Sequence, residues 1–282
     1  MHLTSFYTNK DIKKTRIAIL SDLHYYSGYP NKTLNKIITQ VKEGNPNYIT
    51  IIGDTIDSSG ESDLEPIRDF LNELASIAPV LVVIGNHELK NGYRNHWQAK
   101  FNPDYINILK SIDNLTFLDD ESYVKDNINF YGFNLSFNHY ETLNEDYESF
   151  CKEVSKMSPK FKDDNYNIIL FHSPINIYDF LNNNQSHNLN KADLILCGHM
   201  HNGLLHYSFT NLINKLFKTT RSFASPQLKL FVKNAQGRNY ERDGYTYQGL
   251  SKLSKTAGFL FFFDRFYSKK VGFIDIIPKE KN

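Results

Sequence analysis

The sequence predicts an α/β fold that contains two β-sheets. Two observations lead to this prediction: short apolar runs recur along the chain, and stretches with helical spacing of apolar residues lie between them. The runs are rich in Ile and Val and are continuous rather than alternating, which is typical of strands covered on both faces. These predicted strands are 16–22, 48–54, 80–86, 167–173 and 194–199.

The intervening stretches predict helices at 31–43 and 63–77. The second stretch opens with a Ser/Asp capping signal and carries apolar residues at helical spacing. A further set of strand-like segments predicts a second sheet that is antiparallel in part: 114–119, 127–134, 258–264 and 271–278. Segment 234–256 is rich in Gly, Tyr and charged residues, and we interpret it as an extended loop or an irregular strand.

The chain has 282 residues, enough for one large domain with an ample core. No linker composition divides it, so we expect one domain over 1–282. Within this domain, 204–282 would contribute the final strands and form a lid, a substrate loop or a lipid-facing surface. No run approaches the roughly 20 apolar residues that a membrane-spanning helix needs. The sequence therefore predicts no transmembrane segment.

Two further features indicate a reducing compartment. Cys151 and Cys197 are the only cysteines and lie far apart in sequence, which argues against a disulfide framework. The first residues of the chain lack the apolar segment of a signal peptide. We therefore expect a cytoplasmic protein.

The charge is divided unevenly along the chain. The formal net charge is +1, yet from Thr210 onward fourteen Lys and Arg stand against five Asp and Glu. One interpretation is that this is ordinary surface composition. The other is that the C-terminal part contacts an anionic substrate, a nucleic acid or a lipid head group.

Each of the five predicted strands ends in a residue that could bind a metal ion. The candidates are Asp22, His24, Asp54, Asn86, His172, His199 and His201, with His87 directly after Asn86. The carboxyl ends of strands are where ligands bind in open α/β sheets, because the loops converge there. Asp22 and His24 are two residues apart, as are His199 and His201, so each pair can face one centre from an extended segment. The sequence thus predicts one metal centre formed by distant segments.

Seven ligand groups are too many for one ion and suit two divalent cations. Mixed Asp, His and Asn ligands favour Mn²⁺, Fe²⁺/Fe³⁺ or Zn²⁺, and the absence of thiolates argues against a structural zinc site. Two divalent cations carry four positive charges, of which Asp22 and Asp54 neutralise two. Such a centre attracts phosphate and lowers the pKa of a bound water, which makes a nucleophile near neutral pH.

Five short motifs in this order resemble those of the calcineurin-like metallophosphoesterase family: SDLH, GD, GNHE, FHSP and GHMH. The resemblance spans 16–203. It implies a four-layer α-β-β-α sandwich of two mixed sheets, with the dimetal site at the carboxyl ends of the strands.

The resemblance also implies a role for each candidate residue. The first metal would be held by Asp22, His24 and His201. The second would be held by Asn86, His172 and His199. Asp54 would bridge both metals, and His87 would stabilise the phosphate and protonate the leaving oxygen.

Two neighbouring carboxylates have open roles. Asp57 could brace a ligand histidine or cap the following helix. Glu88 could orient His87 or act as a helix cap.

The sequence departs from the motifs of one branch of this family, the Ser/Thr protein phosphatases, which argues against that function. The stretch GDTIDSSG, whose second residue is Asp54, lacks the phosphate-binding arginine of the Ser/Thr protein phosphatases. The motif FHSP stands where those phosphatases have HGG. The pattern is closer to small bacterial members, including those similar to the lipid-linked UDP-sugar pyrophosphatases.

The sequence therefore predicts a metal-dependent phosphoesterase in which a hydroxide bridging two metals attacks phosphorus. A phosphorylated small molecule or a lipid-linked nucleotide is the expected substrate, with monoester, diester and pyrophosphate bonds left open. Two alternatives remain: a nuclease or phosphodiesterase acting on nucleic acid, and a catalytically silent scaffold with this fold.

Overall fold

A computed structural model describes most of the chain from residue 2 to residue 280. The described residues are 2–57, 63–89, 103–141, 147–201, 212, 215–216, 237–239, 243–247, 249–251, 262, 264, 267 and 269–280. None of the helices among these residues is long and apolar enough to cross a membrane.

The first sheet has six strands and carries the N-terminal predicted strands. In spatial order they are β1 (His2–Thr8), β12 (Gly272–Pro278), β2 (Thr15–Leu20), β3 (Tyr48–Ile52), β4 (Val80–Val83) and β5 (Leu115–Phe117). All neighbours are parallel except β12 and β2, which are antiparallel. The central strands β3 and β4 are buried throughout, as their continuous Ile and Val content predicts.

The second sheet also has six strands and is mixed. In spatial order they are β10 (Gly237–Asn239), β11 (Gly244–Thr246), β9 (Leu194–Cys197), β8 (Tyr166–Leu170), β7 (Ile128–Gly132) and β6 (Glu121–Lys125). The four inner strands are parallel, and the two outer pairs are antiparallel. The predicted α/β fold with two mixed sheets is confirmed.

Seven α-helices and one short 3-10 helix connect the described strands. They are α1 (Asn31–Gly44), α2 (Glu65–Ile77), α3 (Asn86–Leu89), α4 (Pro103–Ser111), α5 (Asn138–Glu141), α6 (Tyr147–Val154), α7 (Ile177–Asn183) and the 3-10 helix Asn188–Lys191. The predictions at 31–43 and 63–77 agree with α1 and α2. Both helices bury one apolar stripe at helical spacing, which explains why they pack against the core instead of standing free in solvent.

The two sheets pack face to face, with helices on the outside. The rings of Tyr48 in β3 and Phe130 in β7 have centroids 5.0 Å apart. On the outer side of the first sheet, Gly44 at the end of α1 lies against Phe273 of β12. On the second sheet, the hydroxyl of Tyr178 in α7 lies against Gly244 of β11. The layers are therefore helix, sheet, sheet and helix.

The expected division of strands between the two sheets is wrong in part. The sequence pattern predicts 114–119 and 271–278 in the second sheet, but β5 and β12 pair within the first. The strands predicted at 167–173 and 194–199 lie instead in the second sheet, where β8 pairs with β7 and β9 pairs with β8. An apolar run indicates that a strand is buried. Which sheet the strand joins depends on its pairing with distant segments, and the run does not specify that pairing.

The C-terminal predictions are tested only in part. Segment 258–264 lies outside the described residues except for Phe262 and Asp264, as does most of 234–256. Within the latter range, the described residues include β10 and β11. The lid and the lipid-facing surface remain predictions.

Candidate metal centre

The predicted site residues converge at one end of the two sheets. Three strands of the first sheet and two of the second supply them: Asp22 and His24 follow β2, Asp54 follows β3, Asn86 and His87 follow β4, His172 follows β8, and His199 and His201 follow β9. Each of these residues is at most 7% exposed. Eight polar side chains are thus gathered in one buried place, which requires that they satisfy one another or share a cation.

One group of four side chains, which we call the first cluster, offers ligand atoms within 4.8 Å of one another; its members are Asp22, His24, Asp54 and His201. Nε2 of His201 lies 3.3 Å from Oδ1 of Asp22 and 3.1 Å from Nε2 of His24. Nε2 of His24 lies 3.8 Å from Oδ2 of Asp54. Two carboxylates and two imidazoles therefore face a common point.

A second cluster shares Asp54 and adds His172 and His199, again with ligand atoms within 4.8 Å. Nε2 of His172 lies 3.2 Å from Oδ2 of Asp54 and 3.2 Å from Nδ1 of His199. Oδ1 of Asn86 is buried and has no hydrogen-bond partner among the described residues. An amide oxygen of this kind suits a cation, since burial without a partner is costly.

Hydrogen bonds behind the imidazoles fix which nitrogen faces the clusters. Nδ1 of His172 lies 2.7 Å from the carbonyl oxygen of Ile52, and Nδ1 of His201 lies 2.8 Å from that of Ser251. A carbonyl only accepts, so these Nδ1 atoms carry protons, and the Nε2 atoms of both rings face the clusters. Backbone carbonyls orient metal-binding histidines in this way in many proteins.

His199 has the opposite arrangement. It is hydrogen-bonded to the backbone of Tyr140, while its Nδ1 faces Nε2 of His172 at 3.2 Å. Its backbone N–H donates to Asp22 over 3.1 Å, which links β9 of the second sheet to the turn after β2 of the first. Lone pairs that face one another at this distance repel unless a cation or proton lies between them.

Five of the predicted ligands have a strained backbone. Asp22, His24, Asp54, His199 and His201 all have φ between +47° and +70°. Non-glycine residues adopt this region rarely, and such strain clusters at functional sites. The strain allows consecutive strand ends to turn sharply and aim their side chains inward.

Two glycines allow the close approach of the second cluster. Gly53 has a φ of +75°, and a Cβ there would meet the ring of His172. A Cβ on Gly85 would meet Oδ1 of Asp54 and Nε2 of His172. Both positions require the bare backbone that glycine provides.

Glu88 joins two turns in addition to making the helix-cap contact that was one of its two expected roles. Its carboxylate accepts hydrogen bonds from four backbone N–H groups, those of Asp54, Thr55, Ile56 and Gly85. Burial and the neighbouring Asp54 carboxylate raise the pKa of Glu88 to about 7. Glu88 therefore holds together the turns after β3 and β4, and its bond to Gly85, the residue directly before α3, is a helix-cap contact.

His87 and Asp57 lie beside the first cluster. The backbone N–H of His87 donates to Oδ1 of Asp54 over 2.8 Å, and its ring is edge-on to that of His24 at 4.4 Å between centroids. Oδ2 of Asp57 lies 3.9 Å from Nδ1 of His24. This position supports the bracing role for Asp57 through charge, at a distance longer than a hydrogen bond.

The electrostatics favour cations between these groups. Burial would raise the pKa of Asp54, but His172 and His87 outweigh it and hold that pKa well below its usual range. Burial would lower the pKa of His172, but Asp54 outweighs it and raises that pKa to about 9. Burial and neighbouring imidazoles lower the pKa of His24 and of His199 well below the usual value. These two rings are therefore neutral at neutral pH, which is the state of histidine that binds a metal.

The donor set fits two divalent cations. Four imidazoles and two carboxylates form two clusters that share a single carboxylate, and the buried amide oxygen of Asn86 is a further donor on the neighbouring turn after β4. Nitrogen and oxygen donors without thiolates match Mn²⁺, Fe²⁺/Fe³⁺ or Zn²⁺. Sequence reasoning did not find the groups that orient these ligands, namely the carbonyls of Ile52 and Ser251, because backbone groups carry no residue-type signal.

Comparisons with known proteins agree with this arrangement. A family model described as calcineurin-like phosphoesterase matches residues 15–203. A protein of Helicobacter pylori described as an uncharacterized metallophosphoesterase is 27% identical over 242 residues, covering 83% of this chain and 57% of that protein. One of Campylobacter jejuni with the same description is 23% identical over 228 residues, covering 80% and 54%. The chain thus spans just over half the length of these relatives.

Two solved structures align at low identity. A putative 5'-nucleotidase from Staphylococcus aureus has a TM-score of 0.44 and 11% identity, covering 95% of this chain and 55% of that one. A dimetal phosphatase from Danio rerio has a TM-score of 0.39 and 13% identity, covering 67% and 82%.

Proposed function

Because this chain belongs to the calcineurin-like phosphoesterase family, we propose that it hydrolyses a phosphate ester or pyrophosphate bond at a centre of two divalent cations. The observation that supports this most is the position of Asp54 between the two clusters. Its Oδ2 atom lies 3.8 Å from Nε2 of His24 and 3.2 Å from Nε2 of His172. One carboxylate is therefore within reach of both cation positions.

The residues divide between two cations. Asp22, His24 and His201 would hold the first, Asn86, His172 and His199 would hold the second, and Asp54 would contact both. When bound, the cations would supply Lewis acidity toward phosphate oxygens and make water nucleophilic near neutral pH. With two carboxylates among the ligands, the filled centre keeps a net charge of about +2, which favours an anionic phosphate.

The residues of the chain would orient the metal-binding atoms and supply a proton to the leaving oxygen. Glu88 and the carbonyls behind the histidines fix the ligand atoms before the substrate arrives, so little reorganisation accompanies the reaction. His87 is the proposed general acid, which gives its proton to the leaving oxygen. Its ring lies beside His24, and its backbone N–H is tied to Asp54, so it is held next to the cation positions.

We propose a phosphorylated small molecule or a lipid-linked nucleotide as the substrate, with hydrolysis of nucleic acid as the alternative within the same chemistry. The intact ligand set argues against a silent scaffold, because a scaffold has no need to retain five strained, buried metal-ligand residues. We propose that the protein works in the cytoplasm, as its two separated cysteines favour.

A substrate panel tests this proposal. The protein is incubated with Mn²⁺ and bis-p-nitrophenyl phosphate, nucleotides, cyclic nucleotides, UDP-sugars and single-stranded DNA. We expect turnover of at least one phosphorus substrate, its loss with a chelator and its return when Mn²⁺ is restored. No turnover of any substrate with Mn²⁺, Fe²⁺ or Zn²⁺ would contradict the proposal. Preferential cleavage of the DNA would favour the nuclease alternative.

A further inference from the structure

We propose that Ser251, held by Lys269, is a positioning residue for the first cluster. The inference rests on the proposed metal-dependent function. Both residues lie beyond 15–203, the part of the chain that the family model matches.

Ser251 contacts two of the three segments that supply the first cluster, those that carry Asp22 with His24 and His201. Its backbone N–H donates to the carbonyl of Asp22 over 2.9 Å, and its hydroxyl donates to the carbonyl of Leu23 over 2.9 Å. Its carbonyl accepts from Nδ1 of His201 over 2.8 Å. One residue, only 1% exposed, therefore joins the turn after β2 to the turn after β9.

Lys269 fixes the hydroxyl of Ser251 from the other side. Its Nζ atom donates to Oγ of Ser251 over 2.9 Å and forms an ion pair with Asp264. The side chains of Lys269 and Asp264 are 11% and 7% exposed, so water competes little for these contacts. Because Oγ donates its proton to Leu23, it uses a lone pair to accept from Lys269, and both bonds hold it in one orientation.

The neighbouring backbone is fitted to the same turn. The N–H of Leu250 donates to the carbonyl of Ser21 over 2.8 Å. Gly249 has a φ of +78°, and a Cβ there would lie 3.0 Å from Cβ and 3.1 Å from Oδ2 of Asp22. Residues 249–251 therefore lie directly against the strained turn that carries Asp22.

The contact with Ser251 fixes both the tautomer and the orientation of the His201 ring. While the carbonyl of Ser251 accepts from Nδ1, the Nε2 lone pair faces Asp22 and His24. If residue 251 shifts, this ring can rotate or exchange its proton between its nitrogens, and the turn carrying Asp22 loses two hydrogen bonds. The loss of such a supporting contact lowers metal affinity by about 10- to 100-fold in other proteins. The second cluster has no comparable contact with Ser251 among the described residues.

The test measures Mn²⁺ binding in two backgrounds of the 282-residue chain. His172→Ala disables the second cluster, and His201→Ala disables the first. We expect Ser251→Ala to weaken Mn²⁺ binding about 10-fold or more in the His172→Ala background and less than twofold in the His201→Ala background. The matched control is Lys270→Met, an exposed lysine next to Lys269, which we expect to change neither affinity.

A second readout does not need a metal. In the metal-free protein, ¹⁵N NMR of His201 should show the Nδ1-protonated ring, and Ser251→Ala should yield a mixture of tautomers. Lys269→Met alone removes one partner of a buried ion pair, so Lys269→Met/Asp264→Leu removes both charges and should reproduce the effect of Ser251→Ala.

Three outcomes would overturn the inference. They are unchanged Mn²⁺ affinity and an unchanged His201 tautomer in a folded Ser251→Ala protein, an equal loss of affinity in both backgrounds, and an effect of Lys270→Met as large as that of Ser251→Ala. A wild-type protein that binds no Mn²⁺, Fe²⁺ or Zn²⁺ would contradict the proposed function itself. Two bound ions with no effect of Ser251→Ala would contradict only the role of Ser251.

Discussion

Nε2 of His172 lies 3.2 Å from Oδ2 of Asp54, although these residues follow strands of different sheets. The other ring nitrogen of His172 contacts the carbonyl of Ile52, two residues before Asp54, over 2.7 Å. One imidazole of the second sheet is therefore attached twice to the strand end of the first. A change at either residue should affect both the joining of the sheets and the metal centre.

Asp54→Asn should abolish activity. The substitution keeps the size of the side chain but removes the charge that both clusters share, so we expect hydrolysis of bis-p-nitrophenyl phosphate with Mn²⁺ to fall by more than about 100-fold. Asp69→Asn, an exposed position in α2, is the matched control and should retain wild-type activity. An Asp54→Asn protein with more than half the wild-type rate would rule out a shared carboxylate.

His87→Gln should discriminate between leaving groups. A proton donor matters most when the leaving oxygen is basic, so an alkyl phosphate ester should lose about 10²- to 10⁴-fold in rate. A p-nitrophenyl ester, whose leaving group needs little protonation, should lose less than about 10-fold. The measurement is kcat on both esters at saturating Mn²⁺. Equal losses on the two esters would show that His87 is not the acid.

Glu88→Ala should destabilise the fold strongly. The substitution leaves four buried backbone N–H groups without their acceptor, so we expect the free energy of unfolding to fall by about 3–5 kcal/mol. Urea unfolding of the metal-free protein measures this. The control is Glu73→Ala, because Glu73 is 51% exposed and pairs with Lys42 at 3.5 Å; its effect should stay within about 0.5 kcal/mol. Similar effects of the two substitutions would contradict this role of Glu88.

Asp275 should make stability dependent on pH. Two hydrogen bonds from Arg16, of 2.6 and 2.9 Å, hold the pKa of Asp275 below its usual value and outweigh its burial. A lowered folded-state pKa gives stability that is complete above the unfolded-state pKa of about 4 and is lost as the pH falls through the folded-state pKa.

Asp275→Asn should therefore be less stable than wild type by about 1–2 kcal/mol at pH 7, and the difference should shrink below about pH 4. Urea unfolding from pH 3 to pH 8 checks this, with Asp69→Asn as an exposed control. A difference that grows as the pH falls would have the wrong sign.

The sequence predicts the placement of the site well for a physical reason. Buried parallel strands require continuous Ile and Val, so strand ends are visible where polar residues interrupt these runs. Asp54 and His172 stand at such interruptions, and the structure brings them together. The periodicity of α1 and α2 is visible in the same way, because each helix buries one stripe.

The sequence predicts less well which strands pair and which residues hold the site side chains in position. β12 pairs with β2 about 250 residues earlier, and nothing in its apolar pattern selects that partner over the other sheet. The sequence does not predict β6, because the residues of this strand are mostly exposed and form no apolar run. Ser251 reaches His201 through its carbonyl, and Glu88 accepts from backbone N–H groups, so residue type does not reveal either role.

The central claim is that two divalent cations share the carboxylate of Asp54. Electron paramagnetic resonance of the 282-residue chain with two equivalents of Mn²⁺ tests it most directly. We predict the spectrum of an exchange-coupled Mn²⁺ pair, as expected for ions about 3.5–4 Å apart, and its loss in Asp54→Asn. A wild-type protein that saturates with a single ion, or that shows only the signal of isolated Mn²⁺ at two equivalents, would contradict the account.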